Sequence, residues 1–71
     1  MPFPLIPILA LLAIFGGTGT LVWYESLSSD DQDQANELTA YYAERIFHKT
    51  VAELTKDEAQ AVHRLTRAHF G

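Results

Sequence analysis

The stretch AIFGGTGTLVWYE, residues 13–25, lies where an uncharged N-terminal segment meets a charged C-terminal one. Residues 1–24 contain no Asp, Glu, Lys, Arg or His, whereas all 9 acidic residues, all 5 Lys and Arg residues and all 3 histidines follow from Glu25 onward. The formal charge of −4 therefore falls entirely on the C-terminal segment. This boundary predicts two parts, one at residues 1–25 and one at residues 26–71.

Size and cysteine content limit what the chain can be. A chain of 71 residues forms one small domain at most, and it buries too little surface to stabilise an elaborate core without additional support. The chain has no cysteine, which excludes disulfides, thiolate metal sites and cysteine nucleophiles. We therefore expect the folded chain to need stabilising contacts with another surface in addition to its own core.

The apolar run from Leu5 to Tyr24 contains 20 uncharged residues. As one helix, these 20 residues would extend about 30 Å, the thickness of the hydrocarbon core of a bilayer. The prolines at the start of the run predict that the helix begins near Pro7. Trp23 and Tyr24 stand beside the first charge, where amphipathic aromatic rings act as anchors at the membrane surface. The run predicts an integral, single-pass transmembrane helix. A removed signal peptide and a buried helix of a globular protein are the alternatives.

The glycines in this stretch have two interpretations. As a Rossmann turn, Gly17 and Gly19 would hold a pyrophosphate, but the fingerprint requires a third glycine where Val22 stands, and 71 residues cannot complete a doubly wound sheet. In a transmembrane helix, small residues four apart let another helix approach closely. The second interpretation fits better and predicts that the residues in contact with a neighbouring helix are Ala13, Gly16, Gly17 and Thr20.

Two helix-capping patterns divide the polar segment. Ser28 with Asp31, and Thr55 with Glu58, each place an acid three residues after a hydroxyl side chain. Apolar residues at spacings of three and four follow each cap. They predict helices at about 29–48 and 56–70, joined by a short turn into an antiparallel hairpin. The predicted fold class is therefore all-α, with one N-terminal transmembrane helix followed by an extramembrane helical hairpin.

Two amphipathic helices of this size make a poor independent core, so the hairpin is expected to need a third surface. Its aromatic side chains offer more area than a two-helix hairpin can cover. We expect docking on a partner through Tyr41, Tyr42, Phe47 and Phe70. For Phe47, packing in the turn against Val51 and Leu54 is an alternative of equal weight.

No constellation typical of an enzyme occurs in the chain. The serines lie at a helix start without a glycine elbow, and there is neither an HExxH sequence nor a matched pair of Glu-x-x-His motifs. Glu44 and His48 are four apart, which is the spacing of an ordinary exposed pair on a helix. We therefore predict no catalytic residue, no cofactor and no metal site.

Basic residues gather on the outer side of the last helix: Lys56, His63, Arg64 and Arg67. They can meet anionic lipid head groups or an acidic subunit, although a solvated face is the more ordinary interpretation. Four such residues in a net acidic segment do not indicate nucleic-acid binding.

These features predict a non-catalytic accessory or assembly subunit of a larger membrane complex, such as a respiratory or photosynthetic one. The expected partners are larger integral membrane subunits and the lipid bilayer, with no nucleic acid and no small-molecule substrate. One alternative is a structural protein of a virus particle with an internal membrane. Another is a helical subunit that binds a metal or cofactor through His48, His63 or His69.

The sequence contains little information on membrane orientation. The first Lys or Arg is Arg45, so the positive-inside rule finds no basic residue close to the predicted span. The N-terminal amine is positive, whereas Glu25 and the aspartates that follow the predicted span are negative. This difference favours a cytoplasmic N-terminus only weakly, because acidic residues contribute little to the rule.

Overall fold

A computed structural model describes residues 6–16 and 18–70, and this part of the chain is all-helical, as predicted. Its α-helices are α1 (Pro7–Phe15), α2 (Thr18–Glu25), α3 (Ser29–Phe47) and α4 (Lys56–His69). A single 3₁₀ turn at Val51–Glu53 lies in the connection between α3 and α4.

The apolar segment forms two short helices instead of one long helix. α1 ends at Gly16, which adopts a left-handed conformation with φ 66° and ψ 36°. The N–H of Gly16 donates to the carbonyl of Leu12 at 2.7 Å and closes the last turn. A left-handed backbone costs a residue with a Cβ about 1–2 kcal/mol, a cost that glycine avoids. α1 therefore ends at a glycine, the residue that adopts the left-handed conformation at the lowest cost.

The prediction of an integral single-pass membrane protein is wrong. In residues 6–16 and 18–70, no helix combines the length and the apolar character needed to cross a bilayer. The uncharged run is long enough only as one helix, and the turn at Gly16 divides it into helices of 9 and 8 residues. Such helices extend only about 14 Å and 12 Å, against the roughly 30 Å of a hydrocarbon core.

The core lies where α1 packs against α3 and α4. Ile8 and Leu11 of α1 and Val62 of α4 are all 0% exposed. At the start of α1, the side chain of Ile6 forms no capping hydrogen bond. Asn36 of α3 caps the helix, because its Oδ1 accepts a hydrogen bond from the N–H of Ile8 at 3.1 Å. α1 therefore supplies the third surface that the hairpin requires.

Small buried residues bring α3 and α4 close together: Ala35, Thr39 and Ala43 on α3, and Ala59, Val62 and Thr66 on α4. The two threonine hydroxyls lie 3.4 Å apart. Each also donates to the carbonyl four residues earlier in its own helix, at 2.7 Å and 2.9 Å. Both buried hydroxyls are therefore satisfied, which removes the cost of placing them in the interface.

Both predicted helix caps form. Ser28 Oγ accepts from the N–H of Asp31 at 3.2 Å. Thr55 Oγ1 accepts from the N–H of Glu58 at 3.3 Å, and Glu58 Oε1 accepts from the N–H of Thr55 at 2.9 Å. α3 ends because His48 turns left-handed, with φ 55°. His48 therefore caps the helix instead of extending the exposed face that carries Glu44.

We expect Leu11→Ala to lower the free energy of unfolding by about 2–5 kcal/mol, because it removes buried methyl groups and leaves a cavity. Leu9, which is 43% exposed on the same helix, provides the matched control. Leu9→Ala should change this free energy by only about 0.5 kcal/mol. Urea unfolding followed by circular dichroism measures both. Equal effects of the two substitutions would contradict the packing of α1 in the core.

Two glycines provide a second matched pair, since an added Cβ meets no atom within 4 Å at either Gly16 or Gly19. Gly16→Ala should lower the free energy of unfolding by about 1–2 kcal/mol because of the left-handed backbone. Gly19→Ala, inside α2, should raise it by up to about 1 kcal/mol. Thermal unfolding of both variants tests this. A stabilising Gly16→Ala would show that the chain does not turn there.

Candidate functional site

α4 carries a pocket of about 400 Å³, lined by Gln60, His63, Arg64 and Arg67. Spacings of three and four place these residues on neighbouring turns of one helix face. The volume lies within the roughly 300–1,000 Å³ typical of small-molecule sites. We call this feature the basic pocket. Three of its residues, His63, Arg64 and Arg67, belong to the basic group predicted from the sequence. Lys56, the fourth member of that group, does not line the pocket. Gln60 was not predicted from the sequence, although it lies four residues before Arg64.

His63 connects the basic pocket to both N-terminal helices. Its Nε2 is hydrogen bonded to Oγ1 of the buried Thr20 in α2, at 3.1 Å. Its ring centroid lies 5.4 Å from that of Phe15 and 5.7 Å from that of Trp23. Its Nδ1 is buried and, among residues 6–16 and 18–70, has no hydrogen-bond partner. In the described residues, Nε2 of His63 therefore forms a hydrogen bond and the buried Nδ1 forms none.

Burial lowers the pKa of His63 below its ordinary value of 6.5, and the nearby Arg67 guanidinium lowers it further. Both effects disfavour the imidazolium, the first by desolvation and the second by repulsion between like charges. His63 is therefore neutral at pH 7, and the positive charge of the pocket comes from its two arginines.

Trp23 holds one of these arginines in place. The Arg67 guanidinium carbon lies 5.3 Å from the centroid of the Trp23 ring. The same ring meets Phe70 edge to face, with centroids 5.9 Å apart. Cation–π and aromatic contacts of this kind contribute about 0.5–1.5 kcal/mol each. Trp23 thus packs against α4.

The two predicted membrane-surface anchors, Trp23 and Tyr24, are both half-buried against the rest of the chain. The hydroxyl of Tyr24 accepts from Nδ2 of Asn36 at 2.8 Å, and its carbonyl accepts from Nε2 of Gln32 at 3.0 Å. Both bonds tie α2 to α3. The hydroxyl of Tyr24 is therefore satisfied within the protein, whereas the prediction placed both residues at a lipid surface.

Three of the four predicted helix-contact residues lie in the described part of the chain, and these three do not share a helix face. Ala13 is exposed on α1, Gly16 ends that helix, and Thr20 is buried against His63. Gly17 lies outside the described residues. The prediction required one continuous helix, and the turn at Gly16 removes it.

The hairpin presents a second surface, whose composition follows from the pairing of α3 with α4. Residue pairs 34–69, 39–66 and 49–58 are in contact, so the helices run antiparallel. Gln34 Nε2 donates to His69 Nε2 at 2.8 Å. One helical turn inward from this pair lie Leu38 and Leu65, and one turn further lie Tyr42 and Ala61. We call these four residues, together with Tyr41, the open face.

The open face is apolar and partly accessible. Tyr41 is 55% exposed and Leu65 is 40% exposed, while the other members are half-buried. The rings of Tyr41 and Tyr42 meet edge to face, with centroids 5.5 Å apart. The other two aromatic residues predicted to dock lie elsewhere. Phe47 packs against the core cluster that contains Val51 and Leu54, which is the turn-packing alternative, and Phe70 packs on Trp23.

The three histidines lie in separate environments. His48 ends α3, His63 is bonded to Thr20, and His69 is bonded to Gln34. In the part of the chain that the structure describes, no three His, Asp or Glu side chains come together in a group able to hold a metal ion. The alternative of a metal site built from these histidines has no support in this region.

No family model, no curated protein and no solved structure matches this chain. A functional assignment therefore depends on the chemistry of the basic pocket and of the open face.

The lowered pKa of His63 predicts a pH-dependent stability. The unfolded chain takes up the proton more readily than the folded chain, so the free energy of unfolding should fall as the pH is lowered through about 6.5 toward the folded pKa. Above that range the full stability is present. His63→Gln, which keeps a hydrogen-bonding group but does not titrate, should flatten this part of the profile. Urea unfolding at a series of pH values measures it, and an unchanged profile would contradict the burial of a neutral His63.

Proposed function

We propose that this protein is a non-catalytic accessory or assembly subunit that binds a partner protein through the open face. The observation that supports this most is the exposure of Tyr41 and Leu65 on a hairpin that already has its core. Tyrosine and leucine so placed cost solvation free energy unless another surface covers them.

Leu38 of the open face lies on the side of α3 away from the start of α1, whereas Tyr42 also packs against the core cluster that contains Ile8 and Leu11. Asn36, which caps α1, and Leu38, which belongs to the open face, are two residues apart and therefore about 200° apart around α3. The helix that completes the core covers the side of Asn36. In residues 6–16 and 18–70 no element of the chain covers the side of Leu38 to the same degree, since Tyr41 stays 55% exposed.

Polar contacts bound the open face at both ends. At one end lies the Gln34–His69 hydrogen bond, and at the other lies the ion pair between Lys49 Nζ and Glu58 Oε1, at 2.8 Å. An apolar centre with tyrosines and a polar rim is the usual anatomy of a protein interface. That the partner is an integral membrane subunit, or that the protein contacts a lipid bilayer, stays a prediction from the sequence alone.

The double variant Tyr41→Ser/Leu65→Ser tests the proposal. A tagged wild-type chain, expressed in its native cell and purified gently, should retain a partner protein at fixed stoichiometry. The double variant should lose this partner because the apolar centre of the interface is gone. Quantitative mass spectrometry of the purified complexes measures the stoichiometry.

Val22→Ser provides the control, because Val22 is 69% exposed and lies on α2, outside the open face. This variant should retain the partner at the wild-type ratio. Retention by the double variant, or equal loss by the Val22 variant, would contradict docking at the open face. Circular dichroism should show wild-type helix content in all variants, since the substituted side chains are exposed.

A further inference from the structure

We propose that the basic pocket binds a phosphate monoester, held by the guanidinium groups of Arg64 and Arg67. This ligand site goes beyond docking at the open face. It joins two positive charges, an amide and a concavity of about 400 Å³ on one side of α4.

In the part of the chain that the structure describes, the two arginines have no acidic partner. In residues 6–16 and 18–70 the one ion pair joins Lys49 and Glu58, and no carboxylate lies within salt-bridge distance of Arg64 or Arg67. The whole chain nevertheless has a formal charge of −4, so carboxylates are abundant elsewhere on it. Two guanidinium groups that share a pocket without a carboxylate have their donors free for an anion.

Trp23 contacts the Arg67 guanidinium without forming a hydrogen bond to its N–H groups. The guanidinium carbon lies over the Trp23 ring at 5.3 Å from its centroid, and the ring face has no lone-pair acceptor that would occupy a guanidinium N–H. The N–H groups of Arg67 thus stay available for hydrogen bonds to an anion. This contact limits the motion of the Arg67 side chain. Ligand binding therefore costs less conformational entropy than it would at a freely moving arginine.

A phosphate monoester fits this donor set better than a carboxylate. It has three peripheral oxygens and a charge between about −1.5 and −2 at pH 7, which matches two guanidinium groups and the amide of Gln60. A carboxylate has two oxygens and a single charge. The volume leaves room for part of the organic group that carries the phosphate.

His63 reports on the occupancy of the pocket. Its neighbours are Phe15 from α1, Thr20 and Trp23 from α2, and Arg67 from α4, and none of these is acidic. Within residues 6–16 and 18–70 no acidic group shifts the pKa of His63, so a bound phosphate would add a negative charge that this part of the chain does not supply. The pKa of His63 should therefore rise when the ligand binds, because a nearby anion favours the imidazolium.

Proton NMR of the His63 ring, at constant ionic strength, tests the proposal with glycerol 3-phosphate, inorganic phosphate and acetate as probes. Glycerol 3-phosphate should give a saturable shift at His63 and leave His48, at the far end of α3, unchanged. The pKa of His63 should be higher in the bound protein. Arg64→Gln should weaken binding about tenfold or more, since it removes charge-assisted hydrogen bonds.

Arg45→Gln is the control, because it removes the same charge from the last turn of α3, outside the pocket. It should bind glycerol 3-phosphate like the wild type. Three results would overturn the proposal: a shift that does not saturate, equal weakening by the Arg45 and Arg64 variants, or acetate binding as tightly as the phosphates. The Tyr41→Ser/Leu65→Ser variant should keep full phosphate binding, which separates this site from the open face.

Discussion

The burial of α1 against α3 and α4 is the interaction on which the rest of the structure depends. α3 and α4 meet through alanines and threonines, which bring the helices close but bury little apolar area. Ile8 and Leu11, both 0% exposed, supply the large side chains that this interface lacks. The left-handed turn at Gly16 then lets α2 change direction, so that Thr20 and Trp23 reach His63 on α4.

The polar segment was largely predictable from sequence because its signals are local. Ser28 and Thr55 accept hydrogen bonds from backbone groups three residues away, so both helix starts could be identified without knowing the fold. The left-handed end of α3 at His48 was not predictable in this way. A non-glycine residue adopts that conformation only where the surrounding structure compensates for its cost.

The apolar segment was misinterpreted because hydropathy does not distinguish a helix that faces lipid from one that faces a protein core. The sequence showed that the hairpin needs a third surface, and that expectation was sound, but the surface was sought outside the chain. Likewise, the helical spacing of α4 brings His63, Arg64 and Arg67 together, and three of the four pocket residues were found. The contacts of His63 with Thr20 and Trp23 span about 40 residues and arise only from the fold, so no local pattern indicates them.

The packing of α1 and α2 against α4 is tested most directly by nuclear Overhauser contacts between aromatic rings of the isotopically labelled protein. The ring centroids of Phe15 and His63 lie 5.4 Å apart, although the residues belong to opposite ends of the chain. We predict cross-peaks from the His63 ring to Phe15 and to Trp23, whose ring centroid lies 5.7 Å from that of His63. Intact helices α3 and α4 without these cross-peaks would show that the N-terminal helices do not fold onto the hairpin.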